Sequence, residues 1–143
     1  MTKQEIESHW NEILEVITKI EMRREHLVII GDTNRLIGNI VNANNEKISF
    51  YGKLIRNFLK DGEYKLVNSS SKVKGGIWTR EDPADKENKS VLDIVIVSSA
   101  LEKYVKVMEV DSERKFTSFK QIKGGQLSFP DHYSLKVTFK GIP

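Results

Sequence analysis

Apolar residues recur every three or four positions at the start of the chain: Ile6, Trp10, Ile13, Ile17 and Ile20, with Leu14 and Val16 widening the stripe. That period predicts an amphipathic helix over residues 2–24. Thr2 and Glu5 have the spacing of a capping box. Arg23 and Arg24 fall in the last turn, where cations suit the helix dipole. The period then vanishes. In H-L-V-I-I-G-D-T-N (residues 26–34), four apolar residues run unbroken from Leu27 to Ile30 before the chain turns polar. A continuous, β-branched run predicts a strand covered on both faces. A helix leading directly into such a strand is an α/β unit whose apolar stripe covers the sheet.

Beyond Asn34 the stretch 35–49 is polar, with turn signals at Asn42, Asn44 and Asn45. Residues 52–60 read as a short helix with Leu54, Ile55, Phe58 and Leu59 on its apolar side, closed by Asp61-Gly62. Residues 64–68 alternate like a strand, 69–76 form a Ser/Lys/Gly loop, 77–80 a brief strand, and 81–90 a charged loop with a proline. A second strongly apolar strand is expected over 91–98, a turn over 99–103 and a strand over 104–110. Residues 112–126 are basic, carry Phe116 and Phe119, and are broken by Gly124-Gly125. Over 133–139 the alternation is clean: Tyr133, Leu135, Val137 and Phe139 face one way and Ser134, Lys136 and Thr138 the other. That predicts a half-buried antiparallel strand. Repeats and low-complexity linkers are absent from the sequence.

A length of 143 residues is that of one domain, and 38% hydrophobic with 30% charged residues is the balance of a globular chain. The net charge of +3 permits a nucleic-acid partner without arguing for one. With no cysteine there is no disulfide and no thiolate metal site. No apolar signal core opens the chain and no stretch approaches a membrane span. The expectation is an intracellular protein, cytoplasmic or nuclear, or a piece of a larger one, with no membrane partner.

Polar residues at strand ends carry the candidate chemistry. Gly-Asp-x-Asn, with Asp32 and Asn34, falls where the first strand leaves its sheet, although an Asp and an Asn also simply make turns there. Asp93 interrupts V-L-D-I-V-I-V, and a buried carboxylate is costly unless paired or hydrogen-bonded. Its alternative is a place at the start of the strand, facing solvent or a backbone amide. Asp131-His132 is the candidate partner, since a carboxylate on one imidazole nitrogen fixes the tautomer and supports the cationic ring. Converging at one sheet edge, Asp32, Asn34, Asp93, Asp131 and His132 supply carboxylates, an imidazole and an amide, with no nucleophilic serine or cysteine indicated. Such a set suits metal-assisted hydrolysis of a phosphate ester.

The order of these pieces resembles a known group. A helix, V-I-I-G-D-T-N, an Asn-rich turn, G-K-L-I-R-N-F-L, Y-K-L-V-N, G-G-I-W-T-R, K-S-V-L-D-I-V-I-V-S-S-A-L and F-P-D-H-Y-S-L-K-V follow one another. This resembles the carboxy-terminal half of the endonuclease/exonuclease/phosphatase superfamily, which includes deoxyribonuclease-I-like and apurinic-endonuclease-like enzymes. It is most similar to the endonuclease domains of non-LTR retrotransposons. The resemblance covers nearly the whole chain through short motifs in order. It implies that Asp32 orients or deprotonates the attacking water, that Asn34 contacts the scissile phosphate, that Asp93 hydrogen-bonds the catalytic His132, and that Asp131 lies near the metal. Thr79 matches the threonine of a short Gly-x-x-Thr strand, with Trp78 one residue early, and Ser90 supports the loop before Asp93. The chain departs from the pattern at Ile94 (usually Tyr), Pro130 (usually Ser) and Thr33 (usually Phe). The metal-binding Glu and an early Asn of the superfamily have no counterpart, since neither Glu5 nor Glu7 matches.

The implied fold is α+β, of the α/β sandwich type: residues 1–143 as a single domain with one mixed or antiparallel sheet and helices on one face, half of a four-layer sandwich. The sheet's other face would be apolar and uncovered, so a homodimer packed sheet on sheet, or a complementing amino-terminal half, is expected to cover it. The implied function is half of a magnesium- (or manganese-) dependent nucleic-acid phosphodiesterase, weak or inactive unless the missing half supplies the main metal carboxylate. The alternatives are a non-catalytic nucleic-acid-binding or assembly module and a phosphatase on a small phosphoester. Lys72, Lys74, Thr79 and Arg80 are the candidate phosphate contacts, with further basic residues at Arg114, Lys115, Lys120 and Lys123.

Overall fold

The computed structural model describes residues 2–33, 49–116, 120, 121, 124, 125, 127, 128 and 130–143. Helix α1 runs over Lys3–Met22 and starts with a complete capping box: the Thr2 hydroxyl accepts from Glu5 N, and the Glu5 carboxylate accepts from Thr2 N. Helix α2 spans Phe50–Leu59, capped by Ser49, whose hydroxyl accepts from Gly52 N. Strands β1 (Val28–Asp32), β2 (Tyr64–Leu66) and β6 (Asp93–Ser98) form an antiparallel sheet in the order β1-β6-β2. A second sheet has the order β10-β7-β3, from β3 (Val73–Lys74), β7 (Val105–Val110) and β10 (Leu135–Phe139). In it β10 is antiparallel and β3 parallel to β7. Two ribbons complete the described strands: β4 (Arg80–Asp82) with β5 (Asp85–Ser90), and β8 (Lys120–Gln121) with β9 (Leu127–Ser128). A one-turn helix α3 (Ser99–Glu102) joins β6 to β7.

The class is α+β, with the strands divided between two three-stranded sheets rather than gathered in one. Alternation along β6 explains the division. Ile94 and Ile96 point into a core with Trp10 and Ile17 of α1, Ile55 of α2, Leu27, Tyr64, Leu66 and Val91. Val95 and Val97 point the other way, into a second core with Val105, Met108, Val110, Leu101, Val67 and Tyr133. A period of two sends neighbouring side chains to opposite faces, so the unbroken apolar run of β6 serves two cores at once. The layers are helices, first sheet, second sheet. The face expected to be uncovered is therefore buried by the chain itself, and Val95 and Val97 are both 0% exposed.

β1 is not covered on both faces. Among the described residues it is an edge strand, and Val28 and Ile30, on the side of Val97 and Val95, are 40% and 60% exposed. Among the described residues, no extensive contact joins β1 to the second sheet. A continuous apolar run reads alike for a central strand and for an edge, which is why the sequence suggests fuller burial. Residues 81–90, expected as a loop, form most of the β4–β5 ribbon, whose charged side chains give no alternating signal. Gly75 passes the end of β7 so closely that a Cβ there would lie 1.9 Å from the Val110 carbonyl oxygen. Only glycine permits that approach, and its φ of +89° as well.

Ile96 is 1% exposed and Ile30 is 60% exposed on neighbouring strands. Replacing Ile96 by alanine is expected to lower stability by about 2–5 kcal/mol, and Ile30→Ala by less than about 1 kcal/mol. Urea denaturation of the two variants checks the contrast.

Candidate functional site

The register of β1 against β6 sets the site. Asp32, the last residue of β1, lies directly opposite Asp93, the first of β6. Opposed residues in an antiparallel pair project from the same face, about 5 Å apart at Cβ. Like charges so placed repel, and His132 lies between them. Its Nδ1 is 2.7 Å from Asp93 Oδ2, and its Nε2 is 3.7 Å from Asp32 Oδ2. The shorter contact is a hydrogen bond; the longer is an ion-pair distance beyond one. Since an ionised Asp93 only accepts, the proton of a neutral ring belongs on Nδ1. Asp93 is the more enclosed carboxylate, its side chain 16% exposed against 37% for Asp32 and 28% for His132.

The backbone under Asp93 is fixed by two side chains that sequence reasoning does not single out for this work. Asn68, 4% exposed, donates from Nδ2 to the Asp93 carbonyl (3.0 Å) and accepts at Oδ1 from Val95 N (2.8 Å). The β2–β6 ladder ends at Leu66, and Asn68 extends it by two hydrogen bonds from within the 3₁₀ turn Val67–Ser69. Thr79 is fully buried, and its hydroxyl accepts from Leu92 N (3.0 Å) and Asp93 N (3.1 Å). Its amide donates to the Ser90 carbonyl, and its carbonyl accepts from Tyr133 N (2.8 Å), next to His132. Thr79 thus ties both members of the Asp93–His132 pair to one backbone. The sequence singles out Thr79 through its Gly-x-x-Thr motif, as a phosphate contact rather than as this support, and gives no such signal for Asn68.

On the other side, Arg114 donates from Nη1 to the His132 carbonyl (3.0 Å) and lies over the Tyr133 ring, 4.5 Å from its centroid. The turn that presents Arg114 is closed by the buried Asp111 carboxylate, which accepts from Lys115 N (2.7 Å) and Phe116 N (2.8 Å).

The structure brings together Asp32, Asp93 and His132, whose ligand atoms all lie within 4.8 Å of one another. Asn34 lies outside the described residues. Asp131 does not join the group: its Oδ2 is 2.9 Å from Nε of Arg80. That hydrogen bond, more than any other cause, holds the Asp131 carboxyl below its ordinary value, against a smaller opposing effect of desolvation. Thr79 is 0% exposed, so it supports the site and has no surface to offer a phosphate. The Lys72 ammonium is hydrogen-bonded to the Glu102 carbonyl in α3, beyond the far end of β6, which carries Asp93 about 17 Å away at its start. Lys74 pairs across strands with Glu109 and lines a cavity of about 260 Å³ that also includes Asp111 and Glu113. Lys115 is paired with Glu113 at 2.8 Å, and Lys123 lies outside the described residues.

A carboxylate–imidazole–carboxylate chain can hold one ring tautomer, relay a proton at Nε2 and present an oxygen donor at Asp32. Magnesium takes oxygen ligands and is held by one or two carboxylates with waters, so Asp32 and the second oxygen of Asp93 fit such an ion. Asp93 Oδ2 and His132 Nδ1 are spent on each other. No protein-family model matches this chain, and neither the curated proteins nor the solved structures contain a match.

Two outcomes are expected. Asn68→Ala strands a buried carbonyl and a buried amide, and should cost about 2–4 kcal/mol in urea denaturation. The depressed Asp131 carboxyl favours folding above the ordinary value of 3.8, and that contribution is lost as pH falls through its lower folded value. Arg80→Gln should therefore move the Asp131 titration upward, toward 3.8, read by carbon NMR of the side-chain carboxyl.

Proposed function

We propose that this chain is a phosphoesterase acting on nucleic acid, of the kind found in the carboxy-terminal half of endonuclease/exonuclease/phosphatase-type enzymes. The observation that carries the reading is the Asp93–His132 hydrogen bond with Asp32 at the ring's other nitrogen, all at one strand-end rim. Catalytic dyads need this geometry: a carboxylate that orients an imidazole, and a second acid within reach of the same substrate atoms.

In this reading the Asp32 carboxylate takes a proton from the attacking water, whose oxygen forms the new bond to phosphorus as the ester oxygen leaves with the bonding pair and takes a proton from solvent. The doubly protonated His132 ring donates from Nε2 to a phosphoryl oxygen, and its Nδ1–H stays on Asp93. Asp93 faces the ring's positive charge and, through Asn68 and Thr79, keeps the ring from turning. Asp32 and the second oxygen of Asp93 would hold magnesium or manganese, which would supply charge stabilisation for the phosphate oxygens. The resemblance implies a further metal carboxylate from a complementing amino-terminal half, so the chain alone is expected to be a weak nuclease.

A second reading, an assembly module, is favoured by the exposed Val28 and Ile30 on the outer strand β1, next to Asp32. A homodimer partner or a complementing half would cover them there. Light scattering at high concentration reads that outcome separately from catalysis.

Plasmid nicking with magnesium tests the proposal. His132→Ala is expected to lower the rate by about 10²–10⁴-fold, and Asp93→Asn to lower it comparably. Nicking that survives His132→Ala unchanged comes from a contaminant and removes the reading.

A further inference from the structure

We infer that Asp131 is a positioning residue for Arg80, and that the guanidinium so held is the anion-binding arm of the Asp32–Asp93–His132 site. Resting on the phosphoester reading above, this names which cation meets the phosphate, and it takes Asp131 out of the metal-ligand role that the resemblance implies for it.

Arg80 and His132 face each other in an isolated antiparallel bridge. The flanking hydrogen bonds run from Glu81 N to the Asp131 carbonyl (2.9 Å) and from Tyr133 N to the Thr79 carbonyl (2.8 Å). That pattern makes Arg80–His132 a non-hydrogen-bonded pair, the kind in which opposed side chains approach most closely and leave the same face. Arg80 therefore starts beside the imidazole that the dyad orients.

Its direction is set by Asp131. The carboxylate engages Nε alone, at 2.9 Å. A guanidinium has five N–H donors, and the four on its terminal nitrogens lie beyond that contact. Two such donors match two oxygens of a phosphate, a geometry lysine cannot offer. The Arg80 side chain is 27% exposed, so an anion can reach it. An ion pair this exposed adds little to stability; its main consequence is where the guanidinium points. The rim also calls for such a cation, since Asp32 and Asp93 would otherwise repel an incoming phosphate. Arg114 touches His132 as well, but at the backbone carbonyl, with its guanidinium laid on the Tyr133 ring.

The sign of one substitution separates the two roles for Asp131. Removing a carboxylate from an anion site ordinarily strengthens anion binding. If Asp131 instead aims Arg80, neutralising it weakens binding. The experiment measures the anisotropy of a fluorescein-labelled single-stranded oligonucleotide in EDTA, so that no metal contributes. Arg80→Gln should weaken binding about tenfold, Asp131→Asn by a similar factor, and the double variant no further than Arg80→Gln alone. Equal or tighter binding by Asp131→Asn, or additive losses in the double variant, overturns the inference. In parallel, inorganic phosphate is titrated into nitrogen-labelled protein and the Arg80 Nε–H signal is followed. It should shift in the wild type and shift less in Asp131→Asn. Phosphate that leaves the signal unmoved overturns the inference. A signal that moves with phosphate, in a protein that ignores the oligonucleotide, upholds the Arg80 assignment and defeats the nucleic-acid reading instead.

Discussion

Two carboxylates facing each other across a β-ladder, with an imidazole between them, are the arrangement on which the rest of this structure turns. Left alone, Asp32 and Asp93 would repel, and the β1–β6 register that opposes them would be disfavoured at that end. His132 answers the repulsion from a loop that precedes a strand of the other sheet. The site is thus assembled across both sheets, and it requires the two to be stacked in one orientation. That orientation comes from β6, which lends one row of side chains to each core.

The supporting residues are polar and buried for a physical reason. A site at the end of a strand leaves backbone groups without a ladder partner, and buried unpaired amides and carbonyls are expensive. Asn68 and Thr79 supply side-chain atoms where the ladder stops, so the chain can turn away from the sheet without stranding Leu92, Asp93 or Val95. The same bonds hold Asp93 in place. Stability and site geometry are therefore not independent here, and a variant of Asn68 should affect both.

Much of this was readable from residue types. Three-and-four spacing marks α1, and the apolar runs mark β1 and β6. An acid inside an apolar strand, together with an Asp-His step before another strand, points to Asp93 and His132 as partners. Other features depend on register and side-chain direction, which local pattern does not encode. Asp131 and Arg80 are separated by 51 positions, and only the pairing of Thr79–Glu81 with Asp131–Tyr133 brings them together. The sequence pairs His132 with an acid but does not say that the partner is Asp93, with its immediate neighbour Asp131 engaged by Arg80 instead. The β4–β5 ribbon escapes notice because it buries only the Ser90 at its root, and so shows no apolar period. Edge exposure of β1 is likewise invisible, since it depends on how far the second sheet extends.

The charged ribbon stands beside the rim. Its first strand begins one residue after the fully buried Thr79, and its second ends at Ser90, which is 6% exposed. The Thr79 amide closes that root on the Ser90 carbonyl at 3.0 Å. The root of the ribbon is thus tied to the same Thr79 backbone that bonds Tyr133 N, and to the hydroxyl that holds Asp93 N.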